Sequence, residues 1–177
     1  MQLPTFPLVD EILQSFAAAL GGDLPGYRNH VYRVLNYFIA VTGKEAVPQA
    51  VLIAAAFHDL GIWTDHTFDY LEPSIRQARR YLATHDLESL EAEVHALILE
   101  HHKLRAYRER FALTVEACRK ADLIDLSLGL VRFGVPASRI RSVKAALPDH
   151  GFHQRLVALT ARQFLRNPLR PLPMLRW

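Results

Sequence analysis

Two aspartates stand inside a stretch of this 177-residue chain that is apolar on several faces, and their placement constrains what the chain can fold into. From Thr114 to Val131 the neighbours of Asp122 are Ala121, Leu123, Ile124, Leu126 and Leu128. They leave no broad polar face, which predicts a helix buried on most sides. An ionised carboxylate is costly there unless a cation or several hydrogen bonds compensate it. Asp125, one turn later, lies on a similar face. A metal ion or one of the 17 arginines can answer these charges; of the two aspartates, we take Asp122 to be the one that meets a metal.

The rest of the chain also reads as helix. A first helix is expected from about Leu8 to Leu20, stopped by Gly21-Gly22. In YRNHVYRVLNYFIAVTG the residues Val31, Val34, Leu35, Phe38 and Val41 follow three-and-four spacing, and Gly43 closes the helix. A third begins near Pro48 and ends at Gly61, and its Ala54-Ala55-Ala56 lets a neighbouring helix come close. GIWTDHTFDYLEPS reads as a loop, with Pro73 starting a helix that runs to about Thr84. Further helices fit Leu87–His101, Pro136–Leu147 and Phe152–Leu165, followed by a proline-broken tail, NPLRPLPMLRW. No strand alternation and no glycine-rich phosphate loop is visible, which weighs against Rossmann and P-loop readings. The expected class is all-α.

Composition narrows the context. Half of the residues are hydrophobic and 22% charged, an ordinary globular balance, and the length is that of one domain. The longest apolar run, Val51–Phe57, is seven residues where a membrane span needs roughly 20. The N-terminus has no secretory pattern, and one cysteine, Cys118, forms no intrachain disulfide. The expectation is a cytoplasmic protein with no membrane partner. The net charge of +3 hides an asymmetry: residues 1–100 carry 13 acids and 6 bases, residues 101–177 carry 5 and 15. The basic half is either a solvated surface or an attractor of phosphate groups, nucleic acid included.

Four further polar residues stand at telling places. His58-Asp59 ends an apolar helix just before Leu60-Gly61. Adjacent helical side chains diverge by about 100°, so both reach one ion only from a helix end; imidazole and carboxylate suit first-row divalent ions. His30 borders the buried stripe of its own helix, where it serves either as a hydrogen-bonded core residue or as a ligand. Arg33 shares its side and faces an anionic ligand or pairs with an acid such as Glu72.

The order His, His-Asp, Asp on separate helices resembles the HD superfamily of metal-dependent phosphohydrolases. The segments that carry the likeness are NHVYRVLNYF, AAAFHDLG and RKADLIDLS, spread over about residues 25–130 with spacings of 28 and 63 residues. The resemblance implies a compact HD-type bundle over residues 1–167, with 168–177 as a tail. It implies one divalent ion (Mn, Co, Ni, Mg, Fe or Zn) held by His30, His58, Asp59 and Asp122, the last following an alanine as is common in the family. Asp125 becomes an orienting neighbour. His101-His102, in ALILEHHKLRAY, are then placed to complete a second, weaker metal site or to contact substrate; we assign His101 with Asp59 to catalysis. Arg33, His102 and Lys103 are assigned to substrate. Where the family usually carries a further histidine this chain has Ser74, which favours one firm metal site.

The activity so implied is hydrolysis of a nucleotide or other small phosphate ester by metal-activated water, in a chain that can form homo-oligomers. Ile62, where the deoxynucleotidase branch has glutamate, and Lys103-Leu104-Arg105, where the cyclic-dinucleotide branch has Gly-Tyr-Pro, point away from both. The alternatives are a non-catalytic regulatory module that binds metal and nucleotide, or an HD-fold di-iron oxygenase.

Overall fold

Helices supply the regular structure of residues 3–175, the part that the computed structural model describes; no strand occurs among them. The order is α1 (Pro7–Ser15), α2 (Ala17–Leu20), α3 (Leu24–Thr42), α4 (Gln49–Phe57), α5 (Gly61–Thr64), α6 (Leu71–Thr84), α7 (Glu91–Glu100), α8 (Ala112–Leu126), α9 (Ala137–Ala146) and α10 (Phe152–Arg166). One-turn 3-10 segments precede α3 and α7. No described helix is long and apolar enough to cross a membrane.

The helices are packed compactly around α3, α4 and α8. The α3 stripe of Val31, Leu35 and Phe38 is buried as its spacing predicts, and its most extensive packing is against α8. Helix α4 is buried almost all round, and its alanines leave room for α7. Gly43 closes α3 in the left-handed region (φ 66°), donating its N–H to Ile39 O at 2.9 Å. Helix α1 is tied to α3 through Arg28, which donates two hydrogen bonds to Asp10, and through the Tyr32 hydroxyl, which donates one.

Several boundaries differ from those the periodicity suggests. The first helix breaks at Phe16, whose ring packs edge-on against Phe57. Helix α8 stops at Leu126 rather than near Val131, because Leu128 and Gly129 take positive φ and the Gly129 N–H returns to Ile124 O at 2.8 Å. The GIWT segment is one helical turn, and α6 starts two residues before Pro73. Residues 168–175 of the tail form no helix; they fold back so that Met174 is buried. The last two residues of the expected tail, 176 and 177, lie outside the described residues.

Gly61 sets the approach of α6 to the turn after α4. A Cβ at this position would stand 2.5 Å from Tyr70 O and 2.7 Å from Pro73 Cβ, and the Gly61 N–H donates to the buried Ser74 hydroxyl at 2.9 Å. Gly61→Ala is therefore expected to cost about 1–3 kcal/mol, the usual range for overpacking. The measurement is the urea unfolding midpoint, which should fall with an unchanged m-value.

Candidate metal centre

Four helices deliver polar side chains to one buried point. His30 comes from the middle of α3 and Asp122 from α8. His58-Asp59 lie just past the end of α4, and His101-His102 just past the end of α7. There the helix tightens into an i→i+3 turn, with the Leu60 N–H on Phe57 O and the Lys103 N–H on Glu100 O, and both side chains of each pair reach the centre. His30 is completely buried, and His58, Asp59, His101 and Asp122 are each at most 5% exposed.

The outward hydrogen bonds of the three imidazoles decide their tautomers. His30 Nδ1 donates to Asp125 Oδ2 at 2.8 Å, His58 Nδ1 to Ala55 O at 2.8 Å, and His101 Nδ1 to Ile98 O at 2.6 Å. Each partner is an acceptor only, so each Nδ1 carries a proton, and in the neutral ring Nε2 presents a lone pair. In the metal-free protein burial lowers the His101 imidazole, but Asp59 and Asp122 outweigh it and raise it. His30 Nε2 and His58 Nε2 face each other at 3.0 Å. Two lone pairs at that separation repel unless a cation lies between them. Burial pushes the His58 imidazole down to about 3, further than the neighbouring Asp59 raises it, which disfavours a second proton on His58.

The carboxylates complete the pattern. Asp59 Oδ2 lies 3.3 Å from His58 Nε2 and 3.7 Å from His30 Nε2, and Asp122 Oδ1 lies 3.5 Å from His30 Nε2. Asp59 Oδ1, His101 Nε2 and both carboxylate oxygens of Asp122 are buried without a hydrogen-bond partner, although such atoms are costly to leave unpaired. Donor separations of 3.0–3.9 Å match the edges of a coordination shell with bonds of about 2.0–2.2 Å. Nitrogen and carboxylate donors without thiolate suit a first-row divalent ion. His30, His58 and Asp59 thus form one group that could hold a metal, and Asp59, His101 and His102 a second that shares the Asp59 carboxylate.

In the metal-free protein the two site carboxyls behave oppositely. Burial pushes both up, but for Asp59 it is outweighed by His58, His101 and His30, which hold that carboxyl well below its usual range. Asp122 has weaker compensation and is pushed up to about 7, chiefly by burial and also by Asp59 and Asp125.

The residues expected from sequence fall into three sets. His30, His58, Asp59, Asp122 and His101 come together, and Asp125 orients His30 as expected. Lys103 and His102 line the cavity that opens onto the centre, but the Lys103 amine lies 3.1 Å from Glu100. Arg33 is the correction: it does not face a ligand. It is 2% exposed, and its guanidinium donates to both oxygens of Asp125, at 2.6 and 2.9 Å, and to Leu147 O at 3.1 Å. Its apolar helix face, with a buried aspartate opposite, demands this pairing. Ser74 holds the α5–α6 contact.

Other members have no legible signal in the sequence. The Tyr70 hydroxyl shares a 2.8 Å hydrogen bond with His102 Nε2. Tyr27 donates to Ala56 O at 3.0 Å and accepts the Asp59 N–H at 3.3 Å. Phe152 stacks on the His30 ring at 4.2 Å, and the His153 Nε2 donates to Asp125 O at 3.0 Å. The distances in sequence are long, and tyrosine or phenylalanine in a helix reads equally well as core. No family model, no curated protein and no solved structure matches this chain.

Two outcomes follow from this geometry. Asp125→Asn leaves the buried Arg33 charge with only the more distant and more exposed Asp149, 3.7 Å away, as counter-ion, and is expected to cost about 3–5 kcal/mol, measured by chemical denaturation. As pH climbs from 3.8 to about 7, the metal-free fold keeps a proton on Asp122 that the unfolded chain has lost, so this group's contribution to stability falls across that window. A bound cation removes the penalty. The rise in Tm on adding Mn²⁺ should therefore be larger at about pH 8 than at about pH 5, as read by scanning fluorimetry.

Proposed function

We propose that this chain is a metal-dependent phosphohydrolase whose centre is formed by His30, His58, Asp59 and Asp122, with His101 beside them, in a helical bundle of the HD type. One observation carries the reading: three imidazoles and two carboxylates converge in the interior, with His101 Nε2, Asp59 Oδ1 and both Asp122 oxygens buried and unpartnered, beside a cavity of about 930 Å³ whose floor Asp59, His101 and Asp122 line. A cavity of that size is ample for a small-molecule substrate.

A divalent ion bound there supplies Lewis acidity toward a phosphoryl oxygen and brings a bound water toward neutral pKa. The chain's own groups do the rest. Asp125 and the carbonyls of Ala55 and Ile98 fix the imidazoles in the ligating tautomer. Tyr70, whose phenol is held far above its ordinary range by burial and by Asp59, keeps its proton and offers it from the cavity wall together with His102. Lys103 can exchange Glu100 for a phosphate oxygen, a charge-assisted contact. That existing Lys103–Glu100 pair favours the rival reading, a module that binds metal without turnover, and the same experiment separates the two.

Protein purified without a His-tag and assayed by elemental analysis should contain divalent metal, and Asp59→Ala should lose it. The loaded protein, tested with Mn²⁺, Co²⁺, Ni²⁺, Mg²⁺, Fe²⁺ and Zn²⁺ on a panel of phosphate esters, should release inorganic phosphate. Lys103→Ala should raise KM more than it lowers kcat. A wild type that neither retains nor takes up any divalent ion sinks the proposal, and metal without turnover on any ester promotes the binding module.

A further inference from the structure

The cavity above the centre is built unevenly. Its deep end is polar, with Asp59, Asp122, His101 and His102. Its walls are aliphatic: Leu123 and Leu126 from α8, Leu156 and Val157 from α10, and Leu172 and Met174 from the tail. Burial runs the same way. The polar residues of the floor are nearly inaccessible, whereas Val157 and Leu165 at the outer end are 69% and 82% exposed. An open apolar surface of this kind marks a place where something apolar binds.

The walls also say what the cavity does not suit. Among the described lining residues there is no asparagine or glutamine; beyond the floor the polar groups are Tyr70, Lys103, Arg119 and His153, already paired with His102, Glu100, Glu116 and Asp149, and the Thr160 hydroxyl. A nucleobase or sugar buried there would leave its donors and acceptors unpaired, which costs more than the contact returns. A hydrocarbon chain has no such groups and gains from every methylene removed from water.

We infer that the substrate is a phosphate monoester of a long apolar alcohol, with its phosphate at the metal centre and its chain along the wall formed by α8, α10 and the tail. The inference rests on the phosphohydrolase reading for the reaction, but not for the binding of the chain. In the reaction, water supplies its oxygen to phosphorus and the P–O bond to the chain breaks. The leaving alkoxide takes a proton, and the products are inorganic phosphate and the free alcohol. This replaces the nucleotide expected from sequence with an amphiphile. The tail becomes part of the binding wall rather than an appendage.

The test compares ethyl, butyl, octyl and dodecyl phosphate with a nucleoside monophosphate, all below the micellar concentration. Binding to the metal-loaded wild type is measured by calorimetry and phosphate release in parallel. Affinity should rise about two- to fourfold per methylene, the burial gain converted to a binding ratio, and then level off when the wall is covered. The heat capacity change should grow more negative with chain length. Ala161→Trp fills the cavity from an exposed helix position, so the fold should tolerate it, as thermal melting would verify. In this variant the levelling-off should come at a shorter chain.

Chain-length-dependent binding without phosphate release would support the alkyl site and sink the hydrolase reading. Release of phosphate from all esters with affinity independent of chain length would overturn the inference and leave the hydrolase reading standing. Tighter binding of the nucleoside monophosphate than of dodecyl phosphate would likewise overturn it, as would unchanged chain selectivity in a folded Ala161→Trp.

Discussion

The carboxylate of Asp125 is the interaction on which the rest depends. From α8 it accepts one hydrogen bond from His30 Nδ1 and two from Arg33, both on α3. Its backbone carbonyl accepts from His153 on α10. One group thus neutralises a fully buried arginine, sets the tautomer of a central imidazole, and fixes the register of the two most extensively packed helices. Burial alone would raise such a carboxyl; His30 and Arg33 instead hold it far below its usual range. Asp122, three residues earlier on the same helix, has no comparable set of donors and shifts the other way. Two identical side chains diverge because their surroundings stabilise opposite protonation states.

The centre itself is a product of helix ends. His58-Asp59 and His101-His102 are adjacent pairs that no regular helix could turn toward one point. Both occur where a helix has just finished. In each pair the first histidine bonds back to a carbonyl three residues earlier, which consumes one of the acceptors a helix terminus leaves open. The capping bond and the ligating lone pair are two sides of one ring. What caps the helix also prepares the ligand.

Much of this was legible in the residues. The apolar spacing in α3, the alanines of α4, Gly43 as a stop and the buried aspartates of α8 all follow from rules of local geometry and burial cost. The set His30, His58, Asp59 and Asp122 was readable as a set only through the resemblance carried by its order on separate helices; burial cost by itself singled out the aspartates of α8. Arg33 was read wrongly in one respect: its spacing from His30 placed it near the site, but only the position of Asp125 across the α3–α8 contact tells which anion it meets. Ser74, notable in sequence for what it is not, turned out to hold a close helix contact through Gly61.

The sequence by itself determined the helical class and the identity of the polar residues that cannot be left alone in an apolar interior, because periodicity and desolvation act locally. The tertiary structure alone decided that His101 Nε2 comes within 3.5 Å of Asp59, that Tyr70 and His153 pair with groups of the centre, and that α10 and the tail wall its cavity with aliphatic side chains. Those contacts join residues as far apart as Tyr70 and His102, or Asp125 and His153. No spacing rule reaches across such distances; the packing of whole helices does.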